Sequence, residues 1–137
     1  MKDQDQLALV KQAYSLFQKN DIESLLKLMS DDIEWDLPKV ENVPFSGRRR
    51  GIEQVSEFFR ILASEQDILE FNPREYIAQG DKVVCLGNYT WKTKEGSHQY
   101  GSEWAHVFEV RNGKVTAFHE YMDTAALASV YKKGVMA

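Results

Sequence analysis

Residues 103–123 read EWAHVFEVRNGKVTAFHEYMD, two runs of alternating apolar and polar residues joined at Asn112-Gly113. A period of two marks strands with one buried face, and Asn-Gly between two such runs is a strong hairpin signal. The build of the turn decides which side chains share a face. A two-residue Asn-Gly loop pairs Arg111 with Lys114 and sets His106 beside His119. A three-residue loop with Gly113 in the left-handed conformation pairs Val110 with Lys114, and gathers Trp104, His106 and Phe108 with Phe118, Glu120 and Met122. A slip of one residue exchanges the two sets. The second register is favoured, because it collects three aromatics and a methionine on one face and leaves Glu103, Glu109, His119 and Asp123 on the other.

Outward from this hairpin, Gly80-Asp81 and Glu95-Gly96 are two more turn signals, giving four strands at about 68–79, 82–93, 98–110 and 114–122. The N-terminal part has a different texture. Leu7, Val10, Tyr14 and Phe17 recur at helical spacing, and Asp21 can cap a second helix carrying Ile22, Leu25, Leu26 and Met29. Ser30-Asp31-Asp32 ends that helix, and Ile33 to Leu37 alternates as a short strand. Lys39 to Arg50 reads as a loop. Ile52, Val55, Phe58, Phe59 and Leu62 mark a third helix, and Asp123-Thr124 can cap a short closing one. Helices followed by a mostly antiparallel meander of long strands predict an α+β fold, with a strongly curved sheet packed on three N-terminal helices. Such a cone-shaped sheet encloses a pocket. No repeat or linker divides the chain, so residues 1–137 are expected to form one domain.

Composition narrows the function. The 137 residues carry a net charge of −4, and the only basic run is Arg48-Arg49-Arg50, read as a solvated loop. Nucleic acid is therefore not an expected partner. No stretch approaches a membrane span, the N-terminus lacks an apolar leader, and the lone Cys85 suits a reducing compartment, so a cytoplasmic protein is expected. Aromatics at 12% exceed what a minimal core needs, which suggests that some line a cavity.

No phosphate-binding glycine loop, HExxH, CxxC or nucleophile elbow occurs. His98, His106 and His119 do not form a metal-ligand set, so neither metal nor cofactor is expected. The two ionisable groups on the apolar face of the hairpin are His106 and Glu120, expected as diagonal neighbours on adjacent strands. Burial would poise Glu120 as a general base. The alternative is a solvent-facing Glu120 and a structural His106. Tyr14, on the apolar stripe of the first helix, is either core or a hydroxyl donor to a substrate oxygen. Trp35, Phe58, Phe59, Trp104, Phe108, Phe118 and Met122 complete the expected pocket lining.

The helix-helix-strand-helix opening, the segment from Gly47 to Phe59 and the ending WAHVFEVRNGKV…FHEYMD resemble the nuclear-transport-factor-2-like superfamily, nearest its SnoaL-like branch, with ketosteroid isomerase more distant. The resemblance implies a cone-shaped fold with an apolar pocket, often dimeric through the outer sheet face. In SnoaL-like polyketide cyclases an acidic residue on the last strand is the base, with a histidine on the preceding strand. Those positions fall on Glu120 and His106, with Glu here where the cyclases have Asp. Of ketosteroid isomerase's site, the tyrosine corresponds to Tyr14 and the second oxyanion donor to His106. Its base falls on Leu37, so that mechanism is not implied. The expected function is proton abstraction next to a carbonyl of a small, largely apolar organic molecule, an isomerase-, cyclase- or lyase-like step. The alternatives are a non-catalytic binding protein for an apolar ligand, or an interaction module. A homodimer through Val107, Ala117 and Tyr121 is also expected.

Overall fold

The computed structural model describes residues 2–131. Helix α1 (Lys2–Gln18) buries Val10, Ala13 and Tyr14, while Asp3 and Asp5 sit favourably at its positive N-terminal end. Helix α2 (Ile22–Leu26) is capped by Asp21, whose side chain accepts from the Ser24 N–H at 3.2 Å. It is shorter than its apolar spacing suggests. Met29, expected in the helix, opens strand β1 (Met29–Asp36). Helix α3 (Ile52–Glu65) packs Val55, Phe58, Phe59 and Leu62 against the sheet.

Strand β2 (Arg48–Arg50) corrects the expected loop. The arginines alternate as strand residues do. Arg48 and Arg50 pair with Asp36 at 3.3 Å and Glu34 at 3.4 Å on β1, while Arg49 turns to lie over the Phe58 ring. The four long strands follow as β3 (Gln66–Gln79), β4 (Lys82–Thr93), β5 (Gln99–Arg111) and β6 (Lys114–Met122), then helix α4 (Thr124–Tyr131). Asp123 caps α4, accepting from the Ala126 N–H at 3.0 Å.

The strands form one unclosed sheet in the order β2-β1-β6-β5-β4-β3, with β1 and β6 parallel and the other pairs antiparallel. Register breaks bend it. Edge strand β3 has two, between Ile68 and Glu70 and between Pro73 and Glu75, and Pro73 is tolerated because an edge residue need not donate to the ladder. The helices cover the concave side. Ile77 and Tyr121 are more than half exposed on the convex one.

The β5–β6 hairpin differs from both simple turns. Its loop is the two-residue Asn112-Gly113, both at positive φ (52° and 74°), and Arg111 pairs with Lys114. Two residues later the ladder slips by one: Val110 pairs with Val115, but Glu109 pairs with Ala117. Thr116 is the extra residue. Its hydroxyl lies 3.2 Å from the Glu109 carbonyl and 2.8 Å from the Glu109 carboxylate. Thr116 and Ala117 both turn outward, and Phe118, Glu120 and Met122 recover the inward face, opposite Phe108, His106 and Trp104. The expected face is present. His106 and Glu120 are directly opposed rather than diagonal.

Candidate functional site

Inside the curled sheet lies a cavity of about 100 Å³, lined almost wholly by apolar side chains. Tyr14, Trp35, Phe58, Phe59, Phe108, Phe118 and Met122 line it, with His106, Glu120 and Leu37. Trp104 does not. Its indole stacks flat on the His106 ring, centroids 3.8 Å apart and planes at 13°, and so forms a wall behind the histidine. Trp35 stacks similarly on Phe118 at 4.0 Å.

Four polar side chains from four elements meet at one end. The Tyr14 hydroxyl (α1) is 2.9 Å from His106 Nδ1 (β5), and His106 Nε2 is 2.9 Å from Glu120 Oε2 (β6). The Tyr89 hydroxyl (β4) donates to the same Oε2 at 3.1 Å. All four residues are less than one-tenth exposed. One arrangement that gives each side chain a partner has Tyr14 donating to Nδ1, while Nε2–H and Tyr89 donate to the carboxylate. Both donors converge on Oε2. Among the described residues Oε1 receives no donor, and Glu120 is one of the residues that line the cavity. Buried side chains linked in this way hold one geometry.

Tyr89 was absent from the sequence expectation. The signal existed, since Val83, Cys85, Tyr89 and Trp91 share one strand face and all are buried. Nothing marked Tyr89 as opposite Glu120, because two ladders separate their strands. Gln66 and Tyr100, which also line the cavity, were missed as well.

Burial raises the phenol pKa of Tyr14 and Tyr89 strongly, with neighbouring groups, including Glu120, adding to it. Both stay protonated donors throughout the physiological range. Tyr100 and Tyr131 are raised in the same direction, again chiefly by burial, and Tyr76 is pushed up to about 12. Unfolded phenols titrate near 10 and these five above it in the folded protein, so their stabilisation is complete below pH 10 and is lost as pH rises beyond that. An alkaline titration is expected to show phenolate absorbance rising together with loss of the circular dichroism signal. A large phenolate rise in the still-folded protein would contradict this burial.

Among the described residues, no three His, Cys, Asp or Glu side chains converge as a metal site requires. Nor, among the described residues, is any helix long and apolar enough to cross a membrane.

The model of the SnoaL-like domain family matches residues 10–118. The chain belongs to the SnoaL-like family. Its fold places it among nuclear-transport-factor-2-like proteins. One of these, from Burkholderia xenovorans, is 30% identical, with a TM-score of 0.87 over 95% of this chain and 98% of that one. TerC, in a crystal grown with polyporic acid, is 26% identical, with a TM-score of 0.83 over 94% and 99%. A Mesorhizobium loti protein provisionally assigned as a SnoaL-like polyketide cyclase is 16% identical, with a TM-score of 0.70 over 84% and 97%, and shares the fold alone. No curated protein matches the chain. The SnoaL-like membership agrees with the resemblance read from the hairpin and the N-terminal segments.

Proposed function

We propose that the chain is an enzyme that abstracts a proton next to the carbonyl of a small, largely apolar organic molecule, with Glu120 as the base. The observation that carries this reading is the Tyr14–His106–Glu120–Tyr89 chain, which leaves one carboxylate oxygen of Glu120 at an apolar cavity. A general base needs a fixed position and one free lone pair within reach of the C–H bond. His106 and Tyr89 supply the first by holding Oε2, and Oε1 supplies the second. Tyr14 acts through His106, fixing its tautomer and ring plane, and the Trp104 stack restrains the ring from behind.

The chemistry balances without an outside reagent. Glu120 takes the proton, the C–H electron pair becomes a carbon–carbon π bond, and the carbonyl π pair moves to oxygen as an enolate. Return of the proton to a different carbon gives an isomer; attack of the enolate carbon on an internal carbonyl gives a ring, that carbonyl's π pair moving to its own oxygen, which takes the proton back from Glu120. The relative crystallised with polyporic acid supports reading the cavity as a small-molecule site. Cavity volume favours a compact ligand of about one small ring: about 100 Å³ is of the same order as the roughly 150 Å³ apolar cavity known to hold benzene. The test is proton–deuterium exchange on a panel of small cyclic ketones in heavy water, followed by NMR. Exchange above the buffer rate for at least one ketone is expected, and none across the panel would overturn the reading.

A further inference from the structure

The protons around Glu120 are all committed. In the arrangement described above, Tyr14 donates its hydrogen bond to His106, and His106 and Tyr89 donate theirs to Glu120. An enolate oxygen formed in the cavity needs a donor that this set does not supply.

A second polar chain reaches the same cavity from elsewhere. The Tyr131 hydroxyl on α4 donates to Gln66 Oε1 at 3.2 Å, and Gln66 Nε2 at the start of β3 donates to the Tyr100 hydroxyl oxygen at 2.7 Å. Gln66 is only 3% exposed, and it and Tyr100 both line the cavity. The chain has a direction. An amide nitrogen offers only protons, so Tyr100 accepts from Gln66 and its own proton must point elsewhere. Among the described residues no acceptor takes that proton. Burial raises the Tyr100 pKa and Glu120 adds to this, against the opposite pull of the Gln66 bond, so the phenol keeps its proton. Tyr100 stands on the inward face of β5 with Trp104, His106 and Phe108.

We propose that the Tyr100 hydroxyl is the donor that binds the carbonyl oxygen of the substrate, with Gln66 and Tyr131 as positioning residues that aim it. The catalytic half of this proposal rests on Glu120 as base; the binding half does not. In the step above, the negative charge that arrives on oxygen is met by the Tyr100 O–H, which donates a hydrogen bond without transferring its proton. The ligand class is thereby narrowed to compact molecules with one carbonyl at the Tyr100 end and an acidic C–H at the Glu120 end.

The experiment measures the infrared carbonyl stretch of isotope-labelled cyclohexenone at saturating concentration. The wild-type protein is expected to shift the band to lower frequency relative to the probe in an apolar solvent. Tyr100→Phe, an isosteric change, should abolish that shift and slow ketone exchange on the order of 100-fold. Gln66→Glu should also abolish the shift although the hydroxyl remains, because a carboxylate would accept the Tyr100 proton. Glu120→Gln should keep the shift while losing exchange. If Glu120→Gln instead exchanges normally while Tyr100→Phe loses the shift, the base reading fails and the carbonyl anchor stands. A wild-type shift retained in folded Tyr100→Phe overturns the proposal, as does a wild-type protein that leaves the probe band unshifted.

Discussion

Glu120→Gln is expected to lower ketone exchange and turnover on the order of 10²–10⁴-fold while leaving the fold intact. Gln preserves the length and shape of the side chain. Its amide oxygen can still accept from His106 Nε2 and Tyr89, so the polar chain keeps its members. What disappears is the basic oxygen at the cavity. Hydrogen bonds to a charged acceptor are worth more than those to a neutral one, so a stability loss of about 1–2 kcal/mol is expected alongside. Kinetics and thermal melts on the same preparations separate the two effects. Equal rates for variant and wild type would remove Glu120 as base. Glu120→Asp should fall between them, since the carboxylate is kept but drawn back toward the strand.

The largest structural effect is expected at Gly87, on the buried face of β4. A Cβ there would press on the Asn72 carbonyl oxygen, and would lie 2.6 and 2.7 Å from two ring carbons of Trp104. Neither neighbour yields cheaply. The carbonyl belongs to the paired edge strand β3, and Trp104 is held between Gly87 and His106. Gly87→Ala should therefore cost about 3 kcal/mol or more, the upper range for overpacking, and lower Tm on the order of 10 °C. It should also disturb the site, because Trp104 is stacked on His106. A melt within a degree or two of wild type, with unchanged tryptophan near-ultraviolet dichroism, would show that the contact relaxes freely.

Much of the fold was legible because the strand alternation is clean and each hairpin carries a Gly with Asp, Glu or Asn. The four long strands and helices α1 and α3 lie where their periods place them. Short elements were harder. Three arginines look like a solvated run until Glu34 and Asp36 are seen across the ladder, and Met29 extends a helical spacing although its backbone joins β6. Within the site, Tyr14, His106 and Glu120 could be nominated because two share a hairpin and the third is on an apolar stripe. Tyr89, Tyr100 and Gln66 were hidden for the opposite reason. Their partners lie 31 and 34 residues away, and only the curl of the sheet brings them together. Trp104 was assigned to the right face, but a face does not say whether a ring borders the cavity or backs its neighbour.

The bulge at Thr116 imposes a rule of parity on the hairpin. Three residues are left out of the pairing between Glu109 and Ala117: Asn112 and Gly113 in the turn, and Thr116 beyond it. Because side chains alternate, only the oddness of that count puts Glu120 on the side of His106. The unpaired residue is free to sit in a longer turn or further along the strand with the same result. Length changes in this hairpin should consequently be tolerated in twos. A single insertion or deletion that the ladder does not absorb as another irregularity would turn Glu120 to the solvent and bring His119 or Tyr121 inward, inverting the site without altering one of its residues.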